Sequence, residues 1–159
     1  MDKRGQISTY DIVVALFIFV LVFATMRGIW ISNVQKAETE QEYNIMKLKA
    51  MQAIESMVKT KGYPKNWDGS NVELLGLARK QNVLSESKVM QFAAMDYSTA
   101  KDLLLIANYD FNFSLHSAEP TDSVSVGMPL DSNSTVISIK RVVKYKGAEA
   151  DVVFKVFKE

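Results

Sequence analysis

The sequence predicts an α+β fold in which one long N-terminal helix packs on a roughly four-stranded antiparallel sheet. Three observations lead to this prediction. An uncharged apolar run lies near the N-terminus, a segment with apolar residues at intervals of three and four follows it, and the last third of the chain alternates apolar and polar residues. The helix is therefore expected to be hydrophobic in its first half and amphipathic in its second.

The apolar run, residues 12–26, carries no charge. As a helix, the twenty residues from Ile12 to Ile31 would extend about 30 Å, the thickness of a bilayer's hydrocarbon layer. Arg27 is the one charge in that span and lies close enough to its end to reach the polar headgroups. Lys3 and Arg4 favour an N-terminus on the inner side, which leaves the rest of the chain outside. The run is thus a candidate membrane-spanning helix.

The same run could instead belong to a secretory signal peptide that is removed on export. Such a peptide needs small residues at a cleavage site just after its apolar core. Met26 and Arg27 stand at that point of the chain. The sequence therefore favours a helix that is kept.

The amphipathic half of the helix, residues 34–61, contains no glycine or proline. Gly62-Tyr63-Pro64 ends it, and Gly28 is the point at which the joined helix could break. Its apolar residues recur at intervals of three and four, which predicts a face packed on the sheet. That face comprises Tyr43, Met46, Ala50, Ala53, Ile54, Met57 and Val58.

The remainder of the chain predicts a loop, two short helices and four strands. Tyr63 and Trp67 are the expected anchors of the loop, residues 62–71. The helices are expected near 86–95 and 99–106, with Ser98 as the N-cap of the second. Alternation predicts strands near 109–116, 124–126, 135–145 and 151–158, with Arg141 interrupting an apolar face and Lys146-Gly147 as a turn. Strands so closely linked favour antiparallel pairing.

Composition and motifs argue against an enzyme and against nucleic-acid binding. The chain has no cysteine, which excludes disulfides and thiolate chemistry, and a formal net charge of +1 gives no footprint for nucleic acid. His116 is the only histidine, so no paired-histidine metal site exists, and we expect it on the surface. Tyr109, Phe111 and Phe113 could stack on bases if exposed, but burial in the core is favoured. We expect no cofactor.

The residues just ahead of the apolar run, "KRGQIS", carry a resemblance to a known family. Lys3, Arg4, Gly5, Gln6 and Ser8 resemble the processing site of archaeal class III signal peptides, which occur on type IV pilin-like proteins. The resemblance implies that a prepilin-type peptidase cuts between the glycine and the glutamine. It also implies that the apolar helix stays in the mature protein and packs against identical or related subunits.

An acidic residue usually follows the glutamine of that site by four positions. Tyr10 stands there in this chain, and Asp11 comes one residue later. The resemblance implies that Asp11 pairs with the new amino terminus of a neighbouring subunit. A shift of one residue turns it by about 100° around the helix. The alternative is an acid near the helix N-terminus that the helix dipole stabilises.

A second set of residues resembles a pattern of archaeal pilin-like envelope proteins. The pattern is a Gly-x-Pro-x-x-Trp element, a Gly-Leu step and a strand rich in aromatics. The matching positions are Gly62, Pro64, Trp67, Gly76, Leu77, Tyr109 and Phe111. Together the two resemblances cover residues 3–26 and 62–113.

These observations predict a pilin-like subunit, by its size a candidate minor one, of an archaeal surface filament. Its parts are a leader (1–5), a membrane-spanning and filament-core helix (6–31), an amphipathic stem (32–61) and a head (62–159). The expected location is the cell membrane before assembly, with the head outside, and the cell surface afterwards. The alternative is an uncleaved single-span protein whose external domain binds a ligand or partner.

Two Asn-x-Ser/Thr tripeptides are candidate glycosylation sites. Asn133 lies in a polar turn, where a glycan has room, and Asn112 lies within a predicted strand with its side chain facing outward.

Overall fold

The computed structural model describes residues 4–106, 108–117, 119–131 and 134–158, with the backbone alone for 4–9 and 120. The chain divides after Tyr43 into two compact units. The second, Asn44–Glu159, is called the head unit below and includes the last turns of α1 as well as the predicted head. The elements, in chain order, are α1 (Arg4–Lys59), β1 (Ala78–Lys80), β2 (Val83–Leu84), α2 (Glu86–Ala93), α3 (Tyr97–Leu103), β3 (Asp110–Ser117), a 3₁₀ turn (Pro120–Asp122), β4 (Val124–Gly127), β5 (Thr135–Tyr145) and β6 (Ala148–Lys158).

The sheet has six strands in the order β1-β2-β5-β6-β3-β4. The fold class, α+β with a long apolar N-terminal helix, is confirmed, and the four predicted strands form where they were expected. The prediction of a four-stranded antiparallel sheet is wrong, because β1 and β2 add two strands and β2 pairs with β5 in parallel, Val83 opposite Lys144. Strands of three and two residues are too short to show an alternating pattern. The α2–β4 segment between β2 and β5 supplies the long connection that a parallel pair requires.

Helix α1 supplies one face of the head unit's core from Met46 onward. The buried members of the predicted stripe are Met46, Ala50, Ala53, Ile54, Met57 and Val58. Tyr43 is 46% exposed, so its inclusion in the stripe was wrong. The facing side chains of the sheet are the inward members of the alternating strands, among them Phe111, Phe113, Leu115, Val152, Phe154 and Val156.

The C-terminus of α1 is bonded by the segment around β1. Backbone N–H groups of Leu77 and Asn82 donate to the carbonyls of Met57 and Val58, each at 2.9 Å. These carbonyls belong to the last turn of the helix and have no partner within it. The helix therefore ends at Lys59, two residues before the predicted end.

The loop after α1 is held by Trp67 and two glycines. Trp67 is 2% exposed, and its Nε1 donates to the carbonyl of Gly76 at 2.9 Å. Gly62 has φ of +72°, in the left-handed region, and lies against Trp67 and the Leu74 carbonyl. Tyr63, the other predicted anchor, is 60% exposed, so that prediction was wrong for its side chain.

The two short helices form close to their predicted positions, but the predicted N-cap of the second is wrong. Asp96, not Ser98, caps α3: its carboxylate accepts from the backbone N–H groups of Ser98 at 3.0 Å and Thr99 at 3.2 Å. The Ser98 hydroxyl bonds to the same oxygen. These bonds lower the pKa of Asp96, that of the Ser98 hydroxyl most. The turn predicted at Lys146-Gly147 is present and joins β5 to β6.

Arg141, the cation within an apolar face, pairs with helix α1. Its Nε donates to Glu55 Oε1 at 3.0 Å, and its Nη2 lies 3.0 Å from the same atom. Lys59 binds the other carboxylate oxygen of Glu55. These two cations, Lys59 first, hold the pKa of Glu55 below its ordinary value. Arg141, which interrupts the apolar face of β5, therefore forms an ion pair between the sheet and helix α1.

Replacing Glu55 with glutamine is expected to lower the head unit's free energy of unfolding at neutral pH by at most about 1 kcal/mol, since the pair is partly exposed. Because the folded-state pKa is lowered, this contribution is present above the ordinary value of 4.5 and is lost as pH falls through the folded-state value. Urea unfolding at neutral and acidic pH, followed by Trp67 fluorescence in a Trp30→Phe background, measures it. Glu73→Gln, at an exposed glutamate, is the control, and an equal Glu55 effect at both pH values would contradict the assignment.

Candidate membrane-spanning and assembly site

The first half of α1 is an apolar helix whose described side chains are exposed. Every described side chain from Tyr10 to Ile45 is exposed, and the large apolar ones between Ile12 and Phe23 are 52% to 67% exposed. They occupy all sides of the helix, since the run is nearly continuous. A helix that is apolar all round is stable when lipid or other helices surround it.

One helix in the described part of the chain is long and apolar enough to cross a membrane. It continues through Gly28 without a break, so the interruption considered from the sequence does not occur. Apart from the helix's own backbone and the adjacent residues, a Cβ atom at Gly28 would meet no described atom within 4 Å. The described part of the chain therefore leaves room for a side chain at that position.

Polar groups within the span are satisfied or lie near its end. The Thr25 hydroxyl donates to the Val22 carbonyl one turn earlier, at 2.8 Å, which leaves no unpaired donor in an apolar setting. Arg27 is exposed one turn from the end of the twenty-residue span. Trp30, 73% exposed, stands beside it, where an indole suits a membrane–water boundary.

Asp11 is exposed at the start of the apolar run, as the eighth residue of α1. The helix dipole acts mainly within the first turn, so it gives Asp11 little stabilisation. Asp11 forms no ion pair with another side chain that the structure describes. The carboxylate therefore stands at the edge of an apolar surface without a partner from the described part of its own chain.

The predicted processing residues divide into two groups. Lys3 lies outside the described residues. Arg4, Gly5, Gln6 and Ser8 lie in the first turns of α1, where the backbone alone is described. The described part of the processing site, Asp11 and the apolar run therefore follow one another along a single helix.

The residues singled out from the sequence as possible metal-binding or base-stacking groups are placed as follows. Within them, no three His, Asp or Glu residues cluster as metal ligands. His116 is exposed near the end of β3. Tyr109, Phe111 and Phe113 are 0% to 6% exposed, so they pack in the core, as favoured, and cannot stack on bases.

Tyr97 has a structural role in the head unit. The Tyr97 hydroxyl donates to Asp110 Oδ1 at 2.8 Å and accepts from the backbone N–H of Phe111 at 3.2 Å. Lys101 binds the same Asp110 oxygen at 2.8 Å and lowers the pKa of that carboxyl. Burial raises the pKa of Tyr97 to about 12. This group of hydrogen bonds joins α3 to the beginning of β3.

The two candidate glycosylation sites differ in what the structure says of them. Asn112 is half-buried, and its Nδ2 donates to the Met128 carbonyl at 3.1 Å. Its Oδ1 accepts from the Ser114 hydroxyl at 3.0 Å. The amide nitrogen that a glycan would occupy is thus engaged at Asn112. Asn133 lies outside the described residues.

No protein-family model, curated protein or solved structure matches this chain. The functional argument therefore depends on the chain's own residues and their placement.

Proposed function

We propose that this protein is a pilin-like subunit of an archaeal type IV-type surface filament, and by its size a minor subunit. The observation that carries the proposal is the apolar run of α1, residues 12–26, which is exposed on every side and begins five residues after the sequence "KRGQ". A prepilin-type peptidase hydrolyses the Gly5–Gln6 peptide bond, which removes the leader and keeps the helix. Such a helix has two suitable surroundings in turn, the bilayer before assembly and neighbouring helices afterwards.

The charges at the start of the helix support assembly. Cleavage creates an ammonium group at Gln6, five residues before Asp11, or about 7.5 Å along the helix axis. A neighbouring subunit displaced by that distance brings its ammonium group beside Asp11. Opposite charges at the edge of an apolar environment stabilise each other because each alone is costly there. Asp11 is therefore the proposed docking residue.

In this proposal the chain is held in the cell membrane, with its head outside, before it is assembled into the filament. Its partners are the peptidase, the membrane and identical or related pilin subunits. The head is the exposed part of the filament. Asn133 is the proposed site of a glycan, ahead of Asn112, whose amide is bonded to Met128.

A second candidate is an uncleaved single-span protein whose external domain binds a ligand. The observation that favours it is a cavity in the head unit lined by four cationic side chains and no carboxylate. The two candidates differ at the N-terminus, since only the first requires cleavage.

Mass spectrometry of the N-terminal peptide, from protein made in its native cells, tests the proposal. We expect a mature terminus at Gln6. Gly5→Leu is expected to leave residues 1–5 on the chain and to remove the subunit from sheared filaments. Gly28→Leu, the same change at a glycine where the described residues leave open space for a side chain, should be processed normally. A wild-type terminus at Met1 or Asp2 would overturn the filament proposal in favour of the second candidate.

A further inference from the structure

A cavity of about 380 Å³ opens in the head unit between the loop after α1, strand β1 and helix α2. We call it the basic cavity, after the four cations that line it: Lys61, Lys65, Arg79 and Lys88. Its volume is within the range of pockets that hold small molecules. The four cations come from three separate elements and converge on one space.

No carboxylate neutralises these cations among the residues that line the cavity. Lys61, Lys65 and Arg79 form no ion pair with any acidic side chain that the structure describes. Two acids, Asp68 and Glu86, directly follow residues that line the cavity, but neither lines it. Asp68 Oδ1 accepts from the Ser70 hydroxyl at 2.6 Å, and Glu86 is paired with Lys146 Nζ at 2.9 Å. Like charges gathered without a counter-charge repel one another, and a bound anion would relieve that repulsion.

Lys88 fixes the loop that carries two of the other cations. It is 9% exposed, and its Nζ donates to the backbone carbonyls of Lys61 and, at 2.8 Å, Lys65. Burial, and then the charge of Lys61, lowers the pKa of Lys88. An ammonium group has three N–H donors, so one remains after these two bonds. The same contacts hold the backbone of the loop at the cavity wall.

Neutral polar groups complete the wall and indicate what the anion carries. Asn66, Ser85 and Ser87 line the cavity beside the cations. Gln91 also lines it, and its Oε1 atom is buried with no hydrogen-bond partner in the described part of the chain. A buried acceptor left unpaired is costly. A hydroxyl donor satisfies it, whereas a simple carboxylate such as acetate has no proton to donate.

We propose that the basic cavity binds a small hydroxylated oxyanion of the sugar-acid class. The carboxylate or phosphate of the ligand lies among the four cations, and a hydroxyl group donates to Gln91 Oε1. This binding function does not depend on the filament proposal, because every residue that lines the cavity lies in the head unit. No bond is made or broken in it.

Isothermal titration calorimetry of the full chain in an uncharged detergent, at fixed ionic strength, tests the proposal. The probes are glucuronate and glucose 6-phosphate, which distinguish a carboxylate from a phosphate source, with acetate, inorganic phosphate and glucose as comparisons. We expect a millimolar Kd for at least one sugar anion, weaker binding of its simple anion and no binding of glucose. Equal affinity for the sugar anions and the simple anions would overturn the sugar-acid assignment.

The variant Lys65→Gln/Arg79→Gln is expected to raise the Kd by about tenfold or more, since charged hydrogen bonds are removed. Both residues are exposed, so the fold should persist. Lys80→Gln/Lys144→Gln makes the same charge change at exposed cations that do not line the cavity, and its Kd should stay within about threefold of the wild type. The same loss in both variants, or no heat from either sugar anion up to ~50 mM, would overturn the binding site.

Discussion

Replacing Gly76 with alanine is expected to lower the head unit's free energy of unfolding by about 3 kcal/mol. A Cβ atom there would lie 2.3 Å from the backbone nitrogen of Gly62 and 2.6 Å from the carbonyl oxygen of Thr60. Both are backbone atoms that cannot rotate away, so the end of α1 and the loop must separate. The Gly76 carbonyl also accepts the Trp67 indole N–H at 2.9 Å, so any shift weakens the contact that buries the indole.

Gly69→Ala is the matched control for this substitution. A Cβ atom at Gly69 would meet nothing within 4 Å, and its φ lies outside the positive range. Alanine there should leave stability unchanged or raise it by up to about 1 kcal/mol, because it restricts the unfolded chain. Thermal unfolding of the full chain in an uncharged detergent, followed by Trp67 fluorescence in a Trp30→Phe background, measures both. We expect Gly76→Ala to lower Tm by about 12 °C, and equal behaviour of the two variants would contradict the close-approach argument.

The close approach of Gly62, Trp67 and Gly76 gives a physical reason for part of the second sequence pattern. From the sequence, these residues were positions matching a pattern, without any indication that they touch. Gly62 and Gly76 are fourteen residues apart, and no periodicity links positions in a loop. The structure shows that the glycines allow the backbone to close around the indole.

Long periodic segments were predictable from the sequence because every apolar residue in them falls at the spacing that marks the buried face. The buried stripe of α1 and the strands β3, β5 and β6 all extend over many residues, so the inward positions follow from spacing. Features that depend on a choice between neighbouring residues of similar chemistry were not predictable. Asp96 caps α3 although serine is also a good N-cap residue. The buried stripe of α1 begins at Met46, and Tyr43, one turn earlier, is exposed; the spacing of apolar residues does not show where the stripe begins.

The candidate membrane site could be predicted from the sequence, whereas the basic cavity could not. The apolar run is contiguous, so its character is visible in residues 12–26. The cations of the cavity lie at 61, 65, 79 and 88, and nothing in their spacing indicates that they meet. Lys88 lies on a helix of eight residues, where a surface lysine is the ordinary expectation. Only the packing of α2 against the loop shows that it is buried.

Placing two lysines on the apolar run, as Ile18→Lys/Leu21→Lys, is expected to release the chain from membranes. The two positions lie three residues apart, on one side of the helix and near the middle of the span. Each lysine at the centre of a bilayer costs about 3 kcal/mol on insertion scales, and two cost about 6 kcal/mol. The apolar run contributes roughly 0.3 to 0.6 kcal/mol for each large aliphatic or aromatic residue, so the two charges offset most of its preference for lipid.

Ile45→Lys/Leu48→Lys is the matched control, because it changes the same residue types at the same spacing on the same helix. Ile45 and Leu48 are 41% and 60% exposed, beside 55% and 52% for Ile18 and Leu21. They follow the apolar span, where lysine meets water at little cost. Alkaline extraction of membranes should leave the wild type and this control in the pellet and move the Ile18→Lys/Leu21→Lys variant to the supernatant. Retention of both variants would show that residues 12–31 do not hold the chain in the bilayer, and release of both would show that position along the helix is not what matters.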